Sequence, residues 1–168
     1  MKARSLVKTL LAATTIAYSL AASAEICYDV SGSLSSKNIT PSLQMGNMDF
    51  TLHQNDQVVF SESGTLVGNI ASSSAEYGMT ILDHDGKFPQ GNKFKTRGDV
   101  ARIVGIAGAE SDGTLCAFFI EELISDMPKG TGIFKQVTAV EIMAEGTVSN
   151  CSYHNENVFT LSGQLCVE

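Results

Sequence analysis

The residues best suited to acid–base chemistry in this chain are its three histidines, His53, His84 and His154, and the adjacent glutamates Glu121 and Glu122. Every histidine has Asn or Asp close by in sequence, a composition typical of turns, so we expect exposed loop residues rather than a base or a ligand set. Consecutive strand residues point to opposite faces, so only one of the two glutamates can enter an interior. A buried carboxylate there would have a raised pKa and could act as an acid or a base, whereas a surface position is the simpler interpretation.

Two patterns could in principle bind a metal ion. The segment 83–86, "DHDG", offers two carboxylates and an imidazole, but the calcium-loop pattern does not continue downstream, so we predict a hairpin turn. The four cysteines, Cys27, Cys116, Cys151 and Cys166, lack the close spacing of zinc ligands, and no histidine pair completes a set. We therefore expect neither a metal nor another cofactor.

The cysteines instead predict two disulfides, because an even number in an exported chain is typical of an oxidising compartment. Three pairings are open from the sequence alone. In the first and last strands, Cys27 and Cys166 occupy the polar phase, opposite the apolar residues. If those strands are neighbours, Cys27 bonds to Cys166, which leaves Cys116 for Cys151.

The N-terminus has the features of a secretory signal peptide. Lys2, Arg4 and Lys8 precede the apolar run "LLAATTIAYSLAASA", which ends in the small residues 22–24. This run is shorter than the roughly 20 apolar residues that cross a bilayer. We expect cleavage after Ala24, no membrane span, and a secreted or periplasmic product of bacterial type with a single domain at 25–168.

The charge of the chain argues against nucleic acid as a partner. The formal net charge is −7, and loss of the basic signal peptide makes the mature chain more acidic still. Such a surface repels phosphate backbones.

Between these ends the sequence reads as strands joined by turns, without three turns of helical periodicity. The turn signals are "HQND", "DHDG" and "ESDGT", which supply the Asn, Asp or Gly that tight hairpins need. The predicted strands are 26–34, 48–53, 57–61, 65–72, 77–83, 93–106, 114–123, 136–149 and 157–167.

Glycines within two of these strands favour a sheet that coils on itself. Gly98, Gly105 and Gly108 punctuate one strand, and Gly130 and Gly132 precede another. The strand "TLCAFFIEEL" is apolar on both phases, as expected when one face fills a lumen and the other packs elsewhere. We predict an all-β fold, a small closed antiparallel β-barrel of about eight strands. A two-sheet sandwich is the alternative.

The stretch "GTGIF" adds a family resemblance. Gly130, Gly132 and Phe134 resemble the Gly-x-Gly-x-Phe segment that precedes the penultimate strand in allene oxide cyclase and dirigent-like barrels, and the likeness covers about 114–167. It implies an eight-stranded antiparallel barrel whose lumen accepts a small apolar molecule. It also implies a homo-oligomer, a trimer in plant members. No catalytic residue of that family can be placed on this chain.

Three functional classes fit these features. A binding barrel has an internal pocket, a cyclase or isomerase has one buried acid in that pocket, and a structural or adhesive envelope subunit has a filled core and an exposed strand edge. We rank binding first and leave enzyme activity open, because no nucleophile elbow, zinc-protease helix or phosphate loop occurs. The predicted ligand-binding residues are Val104, Phe118, Ile120 and Ile142, or their opposite phase; the candidate acids and bases are Glu121, Glu122 and Arg102.

Overall fold

A computed structural model describes residues 25–74 and 78–168. The predicted signal peptide lies at 1–24, outside the described residues. Within them the chain is all-β, with ten strands and one short 3₁₀ helix. Its strands are β1 (Ile26–Thr40), β2 (Leu43–Gln54), β3 (Gln57–Ser74), β4 (Met79–Lys87), β5 (Lys93–Lys95), β6 (Asp99–Ala109), β7 (Leu115–Ile124), β8 (Lys129–Thr131), β9 (Val137–Ser149) and β10 (Asn157–Val167). No helix in this part of the chain has the length and apolar character needed to cross a membrane.

All strand pairings are antiparallel, and eight strands form a ring. The pairings run in the order β3, β2, β1, β10, β9, β7, β6 and β4, and β4 pairs again with β3. The β4–β6 seam is short, because only Met79–Leu82 pairs with β6. Beyond it β4 pairs with β5, which pairs with β8. The ring therefore splays at one seam, where two short strands extend it.

The ends of the chain lie side by side, as strand phase predicts. Cys27 stands opposite Cys166 in the β1–β10 register and is disulfide-bonded to it. The second disulfide joins Cys116 to Cys151 and ties the start of β7 to the segment after β9. Two such bonds fit an oxidising, extracytoplasmic environment.

Five phenylalanines fill one end of the ring interior. Their ring centroids lie 5.4 to 6.3 Å apart in tilted, stacked and edge-on pairs, the geometries that aromatic quadrupoles favour. The members are Phe50, Phe60, Phe88, Phe94 and Phe134. We call this group the phenylalanine plug.

The "GTGIF" stretch forms β8 and the 3₁₀ turn Gly132–Phe134, which place Phe134 in the plug. Gly132 has φ of +64°, which favours glycine, and a Cβ on Gly130 would lie 2.0 Å from the carbonyl oxygen of Phe134. Both glycines are therefore required for this corner.

Several predicted boundaries are wrong. The segments 57–61 and 65–72 are one strand, β3, in which Gly64 leaves room for Phe88 rather than starting a turn. The predicted strand 93–106 is two strands, separated at Thr96–Gly98, where Gly98 has φ of +68°. The "DHDG" segment is not a turn but part of β4. The "HQND" turn is confirmed, with positive φ at Asn55 and Asp56.

We expect Gly130→Ala to destabilise the fold, because the added Cβ collides with backbone that cannot shift without moving Phe134. Overpacking of this kind costs about 1–3 kcal/mol. Urea unfolding followed by circular dichroism measures the loss. Gly108→Ala is the control: its Cβ would meet only side-chain atoms, at 3.3 Å or more, so a loss equal to that of Gly130→Ala would contradict the clash.

Candidate functional site

A cavity of about 830 Å³ lies at the end of the ring opposite the phenylalanine plug. Strand positions show the separation: β2 places Gln44 in the cavity lining and Phe50 in the plug, and β3 places Ile70 in the lining and Phe60 in the plug. The apolar wall of the cavity consists of Leu82, Phe118, Ile120, Val148 and Phe159, and its polar lining residues include Asn38, Gln44, Asn150, Ser152 and Asn155.

Amide side chains stabilise the polar end of the cavity, which we call the rim. Asn157 is fully buried, donates to Ser36 Oγ (3.2 Å) and Asn38 Oδ1 (2.9 Å), and accepts from the backbone N–H of Ser149 (3.1 Å). The backbone N–H of Asn38 donates to Asn155 Oδ1, and the side-chain amide of Asn155 donates to the backbone carbonyl oxygen of Asn38. The rim is thus a connected network, further anchored by the Cys116–Cys151 disulfide at the wall.

The floor of the cavity is Glu122, whose side chain is buried. Behind it His84 Nδ1 lies 3.6 Å from Glu122 Oε1 and donates to Asp99 Oδ2 at 2.8 Å. The Thr96 hydroxyl also donates to Asp99 Oδ2 and accepts the backbone N–H of His84 at 3.0 Å. We call His84, Asp99, Glu122 and Thr96 the floor cluster.

Four parts of the sheet assemble this cluster. His84 points inward from β4, and Gly68 on β3 makes room for it, since a Cβ there would lie 3.2 Å from the imidazole. Asp99 opens β6, and Thr96 lies in the connection before it. Glu122 faces inward from β7, opposite the small Ala101 of β6. The residues meet only because the strands form a ring.

Burial and neighbouring charges together set the protonation of the cluster. Burial lowers the pKa of His84, but the hydrogen bond with Asp99 and the charges of Glu122 and Asp99 outweigh it, so this pKa is raised. Burial raises the pKa of Glu122, the His84 charge opposes that rise, and the Asp99 charge adds to it. The result is that His84, hydrogen-bonded to Asp99, and Glu122 both keep their protons to higher pH than an ordinary histidine and glutamate do.

Two oxygens of the cluster are left without partners. Asp99 Oδ1 and Glu122 Oε1 are buried and make no hydrogen bond to any residue that the structure describes. An unpaired buried acceptor costs about 1–3 kcal/mol. Glu122 is the one of the two residues that lines the large cavity, with its unpartnered Oε1 on the side of His84.

Ligand atoms of His84, Asp99 and Glu122 lie within 4.8 Å of one another, close enough to surround a cation. Asp99 Oδ2, however, already accepts hydrogen bonds from His84 and from Thr96. A metal at this point would have to displace both donors. We therefore interpret the cluster as a hydrogen-bonded group that holds protons.

The predicted site residues lie in three places. Phe118 and Ile120 line the large cavity, and Ile142 lies beneath Glu122 in a second space of about 30 Å³. Val104 is 54 % exposed and lies outside the large cavity, in an outer groove with Phe119. Ala101 and Ile103 of the same strand line the cavity, so the alternation of β6 points Val104 outward.

The candidate acids and bases are likewise divided between the two faces. Glu121 is exposed in the outer groove and Glu122 is buried, which confirms that the pair point apart. Arg102 is exposed. The prediction that His84 is an exposed loop residue is wrong, since it is 5 % exposed within β4. The alternation in "LDHDG" could have predicted this burial, because Leu82, His84 and Gly86 share one face of a strand and the two acids share the other.

No protein-family model, curated protein or solved structure matches the chain. The site is therefore interpreted from its own geometry.

We expect the free energy of unfolding to fall as pH rises above about 4.5, the ordinary pKa of a glutamate. The folded protein keeps a proton on Glu122 that the unfolded chain releases, so rising pH favours unfolding. The His84 contribution is complete below about 6.5, the ordinary pKa of histidine, and is lost as pH rises through its raised folded pKa. Urea titrations between pH 4 and 9 measure the trend.

Glu122→Gln should remove the part of this decline that starts near pH 4.5, because the amide does not titrate. Glu121→Gln, a matched change on the exposed face of the same strand, should keep the wild-type slope. Equal slopes in wild type and Glu122→Gln would contradict the assignment of a raised pKa to Glu122.

Proposed function

We propose that the ring is a closed β-barrel whose lumen binds a small, mostly apolar molecule outside the cytoplasm. The observation that carries this proposal is the cavity of about 830 Å³, with an apolar wall and a single buried carboxyl group at its floor. Ligand sites typically measure about 300–1,000 Å³ and combine apolar walls with a few placed polar groups. The plug closes the other end, so the ligand enters past the amide rim.

The site consists of the wall residues and the floor. Phe118 and Ile120 contact the ligand, Ile142 supports Glu122 from below, and Val104 is left out because it faces the outer groove. The "GTGIF" corner before β9 agrees with the resemblance to allene oxide cyclase and dirigent-like barrels. Both disulfides agree with a secreted or periplasmic place of action for a bacterial member of that group.

A second candidate function is acid catalysis, an isomerase or cyclase acting on an apolar substrate. The observation in its favour is Glu122, which is buried at the floor of the cavity beside His84 and Asp99 and whose pKa is raised by burial. A group of this kind can donate a proton to a substrate that water does not reach. A structural or adhesive role is less favoured, because it predicts a filled core and the ring contains a cavity of about 830 Å³.

We expect Ala101→Phe to weaken binding of the neutral probe N-phenyl-1-naphthylamine by about tenfold or more, equivalent to about 1.4 kcal/mol. Ala101 lines the cavity, so the added ring occupies ligand space. Fluorescence titration measures the affinity. Ala107→Phe is the control, because Ala107 lies on the same strand and is exposed. The proposal fails if neither the wild type nor the control binds the probe, or if Ala101→Phe binds it as tightly as they do.

Native mass spectrometry of the protein isolated from its own organism would identify a retained ligand and the number of subunits together. A mass increment that is absent from Ala101→Phe would support binding in the cavity.

A further inference from the structure

We infer that the ligand carries a neutral hydrogen-bond acceptor, a carbonyl oxygen above all, at the end that enters the cavity, and that the Glu122 carboxyl group donates to it. This inference rests on the proposed function and names the ligand class for the same site.

The ionisable and apolar side chains are unevenly distributed along the cavity. Glu122 is the one ionisable side chain among the described residues that line it, and Phe118 and Ile120 precede it on the same face of β7. Its cross-strand neighbours are small and apolar, Ala101 on β6 and Ala144 on β9. A bound molecule therefore meets an apolar wall, uncharged polar groups and, at its tip, a single ionisable group.

The charges around Glu122 lead to the same ligand class. The groups that face Glu122 are His84 from β4 and Asp99 from β6, with Asp83 acting on His84 from further away. His84 and Asp99 form one ion pair, so the cluster is neutral with Glu122 protonated and carries one negative charge with Glu122 ionised. Burial favours the neutral form. A protonated carboxyl group has an O–H to donate. Oε1 is buried on the side of His84, so the oxygen that donates to a ligand is Oε2 of this cavity-lining residue.

The same arrangement selects against two other ligand classes. A carboxylate ligand would place a negative charge beside Asp99 with no free cation, since His84 already pairs with Asp99. An ammonium ligand would require Glu122 to ionise, which burial opposes. A neutral carbonyl oxygen needs only the hydrogen bond.

Four naphthalene probes of similar size test this inference: 2-acetylnaphthalene (ketone), 2-ethylnaphthalene (hydrocarbon), 1-(2-naphthyl)ethylamine (cation) and 2-naphthoate (anion). At pH 5.5 we expect the ketone to bind wild-type protein about tenfold more tightly than the hydrocarbon, because a net hydrogen bond contributes about 0.5–1.5 kcal/mol. The cation and the anion should bind more weakly than the hydrocarbon. The ketone preference should vanish as pH rises and Glu122 ionises.

Variants separate hydrogen bonding from packing. Glu122→Gln keeps an N–H donor, so it should retain a ketone preference that no longer depends on pH. Glu122→Met has no donor and should bind ketone and hydrocarbon equally. Glu121→Gln on the outer face should behave as wild type. Thermal unfolding of each variant establishes that it is folded, and Glu122→Met keeps the test decisive if Glu122→Gln fails to fold.

The outcomes distinguish this inference from the proposed function. If wild type binds hydrocarbon and ketone equally, the inference is wrong while the binding cavity stands. If the amine binds best and Glu122→Gln abolishes that preference, the ligand is a cation and the inference is overturned. If none of the four probes binds, the proposed function itself fails.

Discussion

The pairing of β3 with β4 is the contact on which the rest of the structure depends. Without it the strands would form one long open sheet, with β3 at its edge. With it, each of eight strands has a partner on both sides over at least part of its length, which reduces the exposed edge of the sheet. The ring also gives the sheet an inner face, and that face contains both the phenylalanine plug and the floor cluster.

The floor cluster illustrates what this inner face makes possible. Its members belong to β4, to β6 and the connection before it, and to β7. Each is buried, and a buried charge is tolerated only when it is paired or neutralised. Asp99 meets this condition by accepting from both His84 and Thr96. For Glu122, burial raises the pKa and so favours the neutral form of the carboxyl group.

Much of the fold could be predicted from alternation and turn chemistry. In β9 the apolar residues Val140, Ile142 and Ala144 are buried while Glu141 and Glu145 are exposed, as the period of two requires. Applied to the first and last strands, the same rule favoured the Cys27–Cys166 bond, which left Cys116 for Cys151, and it separated Glu121 from Glu122. Local rules succeed here because these strands are regular, and the identity of each face follows from its neighbours in sequence.

The site was harder to predict, because the sequence around its residues resembles sequences that form other structures. Asp and Gly around His84 resemble a turn, yet Gly86 faces inward, where a Cβ would lie 2.4 Å from the Phe94 ring. A glycine that admits an aromatic ring and a glycine that turns the chain look alike in a sequence. Val104 failed for another reason: alternation separates the two faces of a strand without telling which one points inward, and in β6 the inward face contains Ala101 and Ile103.

The β1–β10 pairing has a consequence for how the chain acquires its shape. β1 pairs with β10, and the cysteines that join them are 139 residues apart. Until β10 has been synthesised, β1 has an uncovered edge and no ring exists. Ring formation must therefore wait for β10, and the nascent chain needs protection from intermolecular strand pairing throughout that interval.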